Sequence, residues 1–258
     1  MIASLGMYDF APALQAANDR LWGGIRDGLR SHKIAAPDAL TRGDGAFWPA
    51  WTSPGLVFSQ TCGFPFRAGL GDKVTLIGTP DYDLPDCPSG HYVSVYIARA
   101  DDPRTGLAAF SDARFAYNEA LSQSGWAAPQ NHTAKLGLQL RPALQTGGHR
   151  ASALAVAQGH ADFAAIDAVT WALLCRHEPR MAALKVIART SPATPVLPYI
   201  AAKGVDADLY FDVVSTAIAA LAQSDRETLM LRGLVRIPAE AYLDVPTPPS
   251  PDQIALLT

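Results

Sequence analysis

The chain has 258 residues, 49% of them hydrophobic and 17% charged, with a formal net charge of −3. That length and apolar content supply an ample core, arranged as one large domain or as two lobes of ordinary size. Lys and Arg form no cluster and no apolar run reaches spanning length, which excludes nucleic-acid binders that work through a basic field and excludes a transmembrane helix.

Met1-Ile2-Ala3-Ser4-Leu5-Gly6-Met7 carries neither a basic leader nor a long apolar stretch, and it reads as a first strand. Taken as it stands, the chain is expected in the cytoplasm; a missing native start would make it periplasmic. Leu14, Asn18, Leu21, Ile25 and Leu29 then recur every three or four residues, as one face of a helix does. Trp22 on that helix is expected in the core or at its rim. Trp48 and Trp51, beside Pro49 and Pro54, suggest a satellite hydrophobic cluster.

Leu56–Phe58, Val74–Ile77 and Tyr92–Ala98 read as strands, and Arg114–Tyr117 as another. A helix is expected over Gly125–Leu136, with Pro129 near its first turn, where a missing N–H costs little. A second helix covers His149–Gln158 with Ala151, Leu154 and Ala155 inward, and Gly159 stops it. Phe163–Ile166 is a short strand, Asp167 opens a helix over Ala168–His177, and Val186–Ala188 is a further strand. Proline-rich Ser191–Pro198 reads as a crossover between lobes. Asp206 caps a helix whose apolar face includes Leu209, Val213, Ala217 and Leu221. Pro246–Pro251 is too rich in proline for a regular element, so the tail is expected as an exposed extension against one lobe. Strands alternating with helices give an α/β architecture.

Two stretches carry the chemistry. Ser122-Gln123-Ser124-Gly125-Trp126 and Thr146-Gly147-Gly148-His149 each put small or hydroxyl residues where an extended run gives way to a helix. A helix start presents unpaired N–H groups and a partial positive charge, a natural seat for a phosphate or carboxylate. Ser122, Ser124 and Thr146 add hydroxyl donors, and glycine lets an anion approach the backbone. His149 is either a donor to the anion or a helix-start histidine facing solvent. Asp167 either holds a polar group of the ligand or is a plain N-cap. Thr61, at a strand end before Cys62-Gly63, is a candidate ligand contact. Cys62 has no sequence-local base that would make it a nucleophile. Cys62, Cys87 and Cys175 form no close metal-type pair, and Cys62 and Cys87 are either free thiols or a disulfide. No metal and no cofactor is called for.

From Asp101 to about Pro198 the chain resembles the phosphate/phosphite/phosphonate-binding proteins of ABC transporters. The likeness lies in Ser122-Gln123-Ser124-Gly125 followed by Pro129, then Gly148-His149, Ser152, Ala155-Val156, Gly159 and Ala161-Asp162. Ala165-Ile166-Asp167 and Thr194-Pro195-Val196-Leu197-Pro198 also fit. The resemblance implies a type II periplasmic-binding-protein fold, with two α/β lobes that close on a hinge around a small phosphate- or phosphonate-like anion in the cleft between them. One lobe would comprise residues 1–98 and 192–258, the other residues 99–191. It also implies that Ser122, Gln123, Ser124 and His149 donate to the phosphoryl group and that an aromatic, Tyr8 or Tyr92, closes over the ligand. An ABC permease is the implied partner. Two features depart from the family: the absence of an export signal and Arg150 directly after His149. The competing expectation is a cytoplasmic enzyme, or a ligand-sensing module, on the same fold.

Overall fold

The computed structural model describes residues 1–82 and 84–256. By their internal contacts the residues divide into two compact units, Met1–His91 with Pro195–Asp244, and Tyr92–Thr194 with Val245–Thr258. The sheets are built from β1 (Ile2–Ser4), β2 (Leu56–Gln60), β3 (Val74–Asp81), β4 (Ser94–Arg99), β5 (Phe115–Tyr117), β6 (Pro142–Gln145), β7 (Phe163–Asp167), β8 (Leu184–Arg189), β9 (Tyr199–Ala202) and β10 (Gly233–Val235). The helices that matter here are α1 (Pro12–Ser31), α2 (Ala128–Lys135), α3 (His149–Ala157), α4 (Ala168–His177), α5 (Ala207–Ala220) and α6 (Pro251–Ala255).

The first unit holds a five-stranded sheet in the order β1-β2-β9-β3-β10. β1 runs parallel to β2, whereas β9 is antiparallel to both its neighbours, with Ile200 paired to Ser59 and to Leu76. Every residue of β2 is buried, as expected of a strand covered on both faces. α1 starts with Pro12 and buries Leu14, Ala17, Asn18, Leu21, Trp22, Ile25 and Leu29, the face the sequence spacing predicts. It packs closely on α5: a Cβ on Gly28 would lie 2.7 Å from a Val213 methyl, so glycine there permits the approach. Trp51 joins a cluster with Leu56, Phe66 and Tyr242 and donates its indole N–H to Ser59 Oγ at 3.1 Å.

The second unit holds the sheet β6-β5-β7-β4-β8. β5 is parallel to β6 and β7, and β4 is antiparallel to β7 and β8. Ser94 pairs with Asp167 across the β4–β7 ladder. Phe110, Phe115 and Phe163 pack ring against ring beneath this sheet, and Phe115 also meets Trp126.

Several sequence expectations change. α3 buries Ser152, Ala153, Ala155 and Val156, while Ala151 is exposed and Leu154 only half-buried. On α5 the buried set is Tyr210, Val213, Val214, Ala217 and Ile218, so Leu209 and Leu221 lie on its margin. Residues 246–250 form no regular element, as expected, but the stretch ends in one: Ser250 forms a capping box with Gln253, and Pro251 opens α6 at a position where proline needs no N–H. The tail also packs within the second unit, where Trp126 Nε1 donates to Pro249 O at 3.0 Å and Asn131 Nδ2 to Pro246 O at 2.7 Å. By internal contacts, β4 and the tail belong with the second unit, set beside the expected ranges of 1–98 with 192–258 and 99–191. Residues 83 and 257–258, inside the expected ranges, lie outside the described residues. No disulfide joins Cys62, Cys87 and Cys175.

Candidate functional site

β5 ends at Tyr117, and a short connection leads to Ser122, whose extended backbone stops the strand-like run and caps the turn over Gln123–Ala127. The Ser122 hydroxyl accepts the Gly125 N–H at 3.0 Å. This turn is wider than an α-turn, with the Ala127 N–H reaching back to Ser122 O at 2.9 Å, and α2 continues from it. Widened turns of this kind recur at functional sites because they re-aim the groups at a helix start. Ser122, Gln123 and Ser124 are all buried. From β4, Ser94 Oγ donates to Ser124 O at 2.8 Å and fixes the turn against the sheet.

The second helix start rests on the same strand end. Tyr117 O accepts the Thr146 N–H at 2.9 Å and the Thr146 hydroxyl at 3.2 Å. Asn118 O accepts the Gly147 N–H at 2.9 Å. Gly147 has φ of +80°, a conformation glycine adopts without strain, and Gly148 is the extended N-cap of α3. His149 is therefore the first residue of α3. Its side chain is 12% exposed, so it does not face solvent.

The two turns meet: Ser124 Oγ lies 2.7 Å from His149 Nε2. Asp167 Oδ2 lies 3.4 Å from the same nitrogen. Asp167 is buried at the end of β7 and caps α4, accepting the Thr170 N–H at 2.8 Å on Oδ1 and the Thr170 hydroxyl on Oδ2. Ser, His and Asp are thus in contact, yet the arrangement is no nucleophilic relay. A relay needs the acid on one ring nitrogen and the serine on the other, whereas here both approach Nε2. What the cluster offers is a hydroxyl and an imidazole side by side at two helix starts. Burial pulls the His149 pKa below its ordinary value; the Asp167 charge and the Ala165 backbone oppose that shift without reversing it.

The structure brings together Ser122, Gln123, Ser124, His149 and Asp167. Tyr92 belongs to the same unit, with its ring buried. Tyr8 and Thr61 belong to the first unit. Tyr8 ends a short turn after β1, meets Tyr82 edge-on with centroids 5.3 Å apart, and lines a small cavity with Asn18, Gln60, Tyr82 and Tyr199. Thr61 donates its N–H to Pro198 O at 3.0 Å, and its fully buried hydroxyl has no hydrogen-bond partner among the described residues. Arg150 turns to Glu178, 2.7 Å away. Sequence reasoning missed Ser94, Asn118 and Thr170. Only Thr170 left a signal, three residues after a capping Asp. Among the described residues no group of His, Cys, Asp and Glu is disposed to hold a metal ion, and no helix is long and apolar enough to cross a membrane.

PhnD1 from Prochlorococcus marinus in complex with methylphosphonate is similar in structure, with a TM-score of 0.68 at 15% identity over 93% of this chain and 94% of that one. A binding-protein component of an ABC phosphonate transporter from Pseudomonas aeruginosa gives a TM-score of 0.66 at 15% identity, covering 91% of this chain and 80% of that one. A Xanthomonas citri protein bound to ATP gives a TM-score of 0.66 at 13% identity, over 95% of this chain and 97% of that one. At such identities the likeness establishes the fold, that of type II periplasmic binding proteins, as the motifs implied. No curated protein matches the sequence significantly. The family profile described as "ABC transporter, phosphonate, periplasmic substrate-binding protein" matches residues 73–241, well over half the chain. The chain belongs to the family of periplasmic substrate-binding proteins of phosphonate ABC transporters.

Proposed function

We propose that the Ser122–Gly125 turn and His149 hold the phosphoryl oxyanion of a phosphonate-type ligand, which the protein passes unchanged to an ABC permease. The observation that carries this reading is the 2.7 Å approach of the Ser124 hydroxyl to the His149 imidazole at two successive helix starts. Helix-start dipoles and neutral donors suit an anion in a chain whose net charge is −3, because no global field is needed. Ser122 and Gln123 shape the first turn. Tyr92, of the same unit, completes the proposed set of ligand contacts there.

Asp167 enters this reading through His149. Both its oxygens are engaged, by Thr170 and by the imidazole, so it orients the ring rather than gripping an ammonium on the ligand. An alkyl phosphonate is therefore favoured over an aminoalkyl one.

The test is calorimetry with methylphosphonate and inorganic phosphate on wild-type protein and Ser124→Ala. Losing one hydrogen bond to a charged group costs about 1.5–3 kcal/mol, so the variant is expected to bind about tenfold or more weakly while remaining folded. Wild-type affinity in Ser124→Ala removes this turn from the site. Mass spectrometry of the recovered ligand is expected to show it intact.

A further inference from the structure

Asn118 touches both halves of this site, one through its backbone and the other through its side chain. Its backbone oxygen accepts the Gly147 N–H at 2.9 Å, so it carries the turn that presents His149. Its side chain points at the other turn. A Cβ placed on Gly125 would lie 1.8 Å from Asn118 Oδ1, 2.8 Å from its Cγ and 3.2 Å from His149 Cε1. The carboxamide thus fills the volume that any side chain at position 125 would need, with the imidazole beside it. Gly125 leaves room for this close approach, and its φ is not left-handed. Asn118 Oδ1 is buried and accepts no hydrogen bond within the described residues. A buried oxygen left without a donor is unfavourable and calls for an explanation.

We propose that Asn118 is a positioning residue for the anion site: its backbone holds the Gly147–His149 turn, and its carboxamide wedges the Ser122–Gly125 turn against it. The inference rests on the reading of that site as the oxyanion seat. Ser124 and His149 come from separate elements, and Ser94 braces the Ser124 backbone only from the β4 side. The carboxamide over Gly125, near the His149 ring, is what keeps the hydroxyl and the imidazole in register on the other side.

The experiment compares wild-type protein with Asn118→Ala, Gly125→Ala and the double variant. It measures methylphosphonate affinity, and it follows the His149 imidazole titration by NMR in ligand-free protein. Asn118→Ala is expected to weaken binding at least tenfold and to shift the His149 titration without ligand. In the double variant the combined loss is expected to be smaller than the product of the single losses, because both substitutions disturb one contact. Where Gly125→Ala fails to fold, Asn118→Ala, which only removes atoms, still decides. Wild-type affinity in Asn118→Ala overturns the proposal. So does weakened affinity with an unmoved His149 titration, which would make Asn118 a direct ligand contact. The two readings fail separately. If Ser124→Ala binds as wild type, the oxyanion seat itself is wrong; if Ser124→Ala is weakened and Asn118→Ala is not, only the wedge is.

Discussion

His149 is the residue whose charge state an anion bound as proposed would have to negotiate. Burial holds its folded pKa below 6.5, the ordinary value. The unfolded chain therefore takes up a proton near 6.5 that the folded chain takes up only at lower pH. Stability from this group falls as pH drops below 6.5 and levels off under the folded pKa. An oxyanion beside the ring works the other way, since negative charge favours imidazolium. Ligand binding is thus expected to raise the His149 pKa and to take up protons in the interval between the free and bound values. Calorimetry in buffers of different ionisation enthalpy measures that uptake. The part due to His149 is the portion that vanishes in His149→Asn, and equal uptake in both proteins would show that the ring stays neutral throughout. That Ser122, Ser124 and His149 stand at two helix starts was legible in the sequence, because short hydroxyl residues and glycines gather where a strand gives way to a helix. Ser94 and Asn118 were not, because their roles come from register and from the space over Gly125, and neither quantity is local to the chain.

At the level of elements the long, strongly patterned pieces were readable and the alanine-rich ones were not. α1 shows its buried face in the spacing of large apolar residues. α3 is built from His149-Arg150-Ala151-Ser152-Ala153-Leu154-Ala155-Val156-Ala157, where alanine on several sides leaves the inward face undetermined, and it turns Ser152 inward to meet Thr146 Oγ1 at 2.6 Å. The tail was legible in part: residues 246–250 form no regular element and lie against one unit, as expected, but the helix after them was not foreseen. Its prolines argue against a helix interior, yet Pro251 falls in the first turn, where proline is tolerated. Its value to the fold lies in Pro249 O, the acceptor for the fully buried indole of Trp126. Removing residues 245–258 is expected to strand that N–H and cost about 1–3 kcal/mol. Ser250→Ala, which removes only the cap, should cost about 1 kcal/mol. Chemical denaturation gives both numbers, and a midpoint unchanged by the truncation would mean that the tail does not support the Trp126 turn. Because Trp126 lies in that turn, the truncation is also expected to weaken methylphosphonate binding.

Across the whole molecule, stability is tied to pH through arginine-held carboxylates and to ligand through mass action. Arg180 and Arg150 hold the Glu178 carboxyl down at about 2, against an ordinary 4.5. Arg104 depresses Asp102, Arg114 depresses Asp162, and Arg20 depresses Asp225. Each carboxylate binds its proton less readily in the folded chain than in the unfolded one. Their contribution is complete above the unfolded values and is lost as pH falls through the folded ones, for Glu178 between 4.5 and about 2. The melting temperature is therefore expected to fall steeply on acidification, and less steeply in Glu178→Gln. Ligand acts on the same equilibrium from the other side. A solute that binds only the folded chain at about 100 times its Kd adds about 2.7 kcal/mol, and for a chain of this size that raises Tm by about 5–10 °C. Differential scanning fluorimetry at neutral pH with rising methylphosphonate measures this. The shift should grow with the logarithm of ligand concentration, and at equal concentration it should be smaller in Ser124→Ala by the equivalent of a tenfold loss, about 1.4 kcal/mol. A shift of the same size in both proteins would place the bound anion away from the Ser122–Gly125 turn. No shift in either would count against methylphosphonate as the ligand, and inorganic phosphate would be the next anion to try.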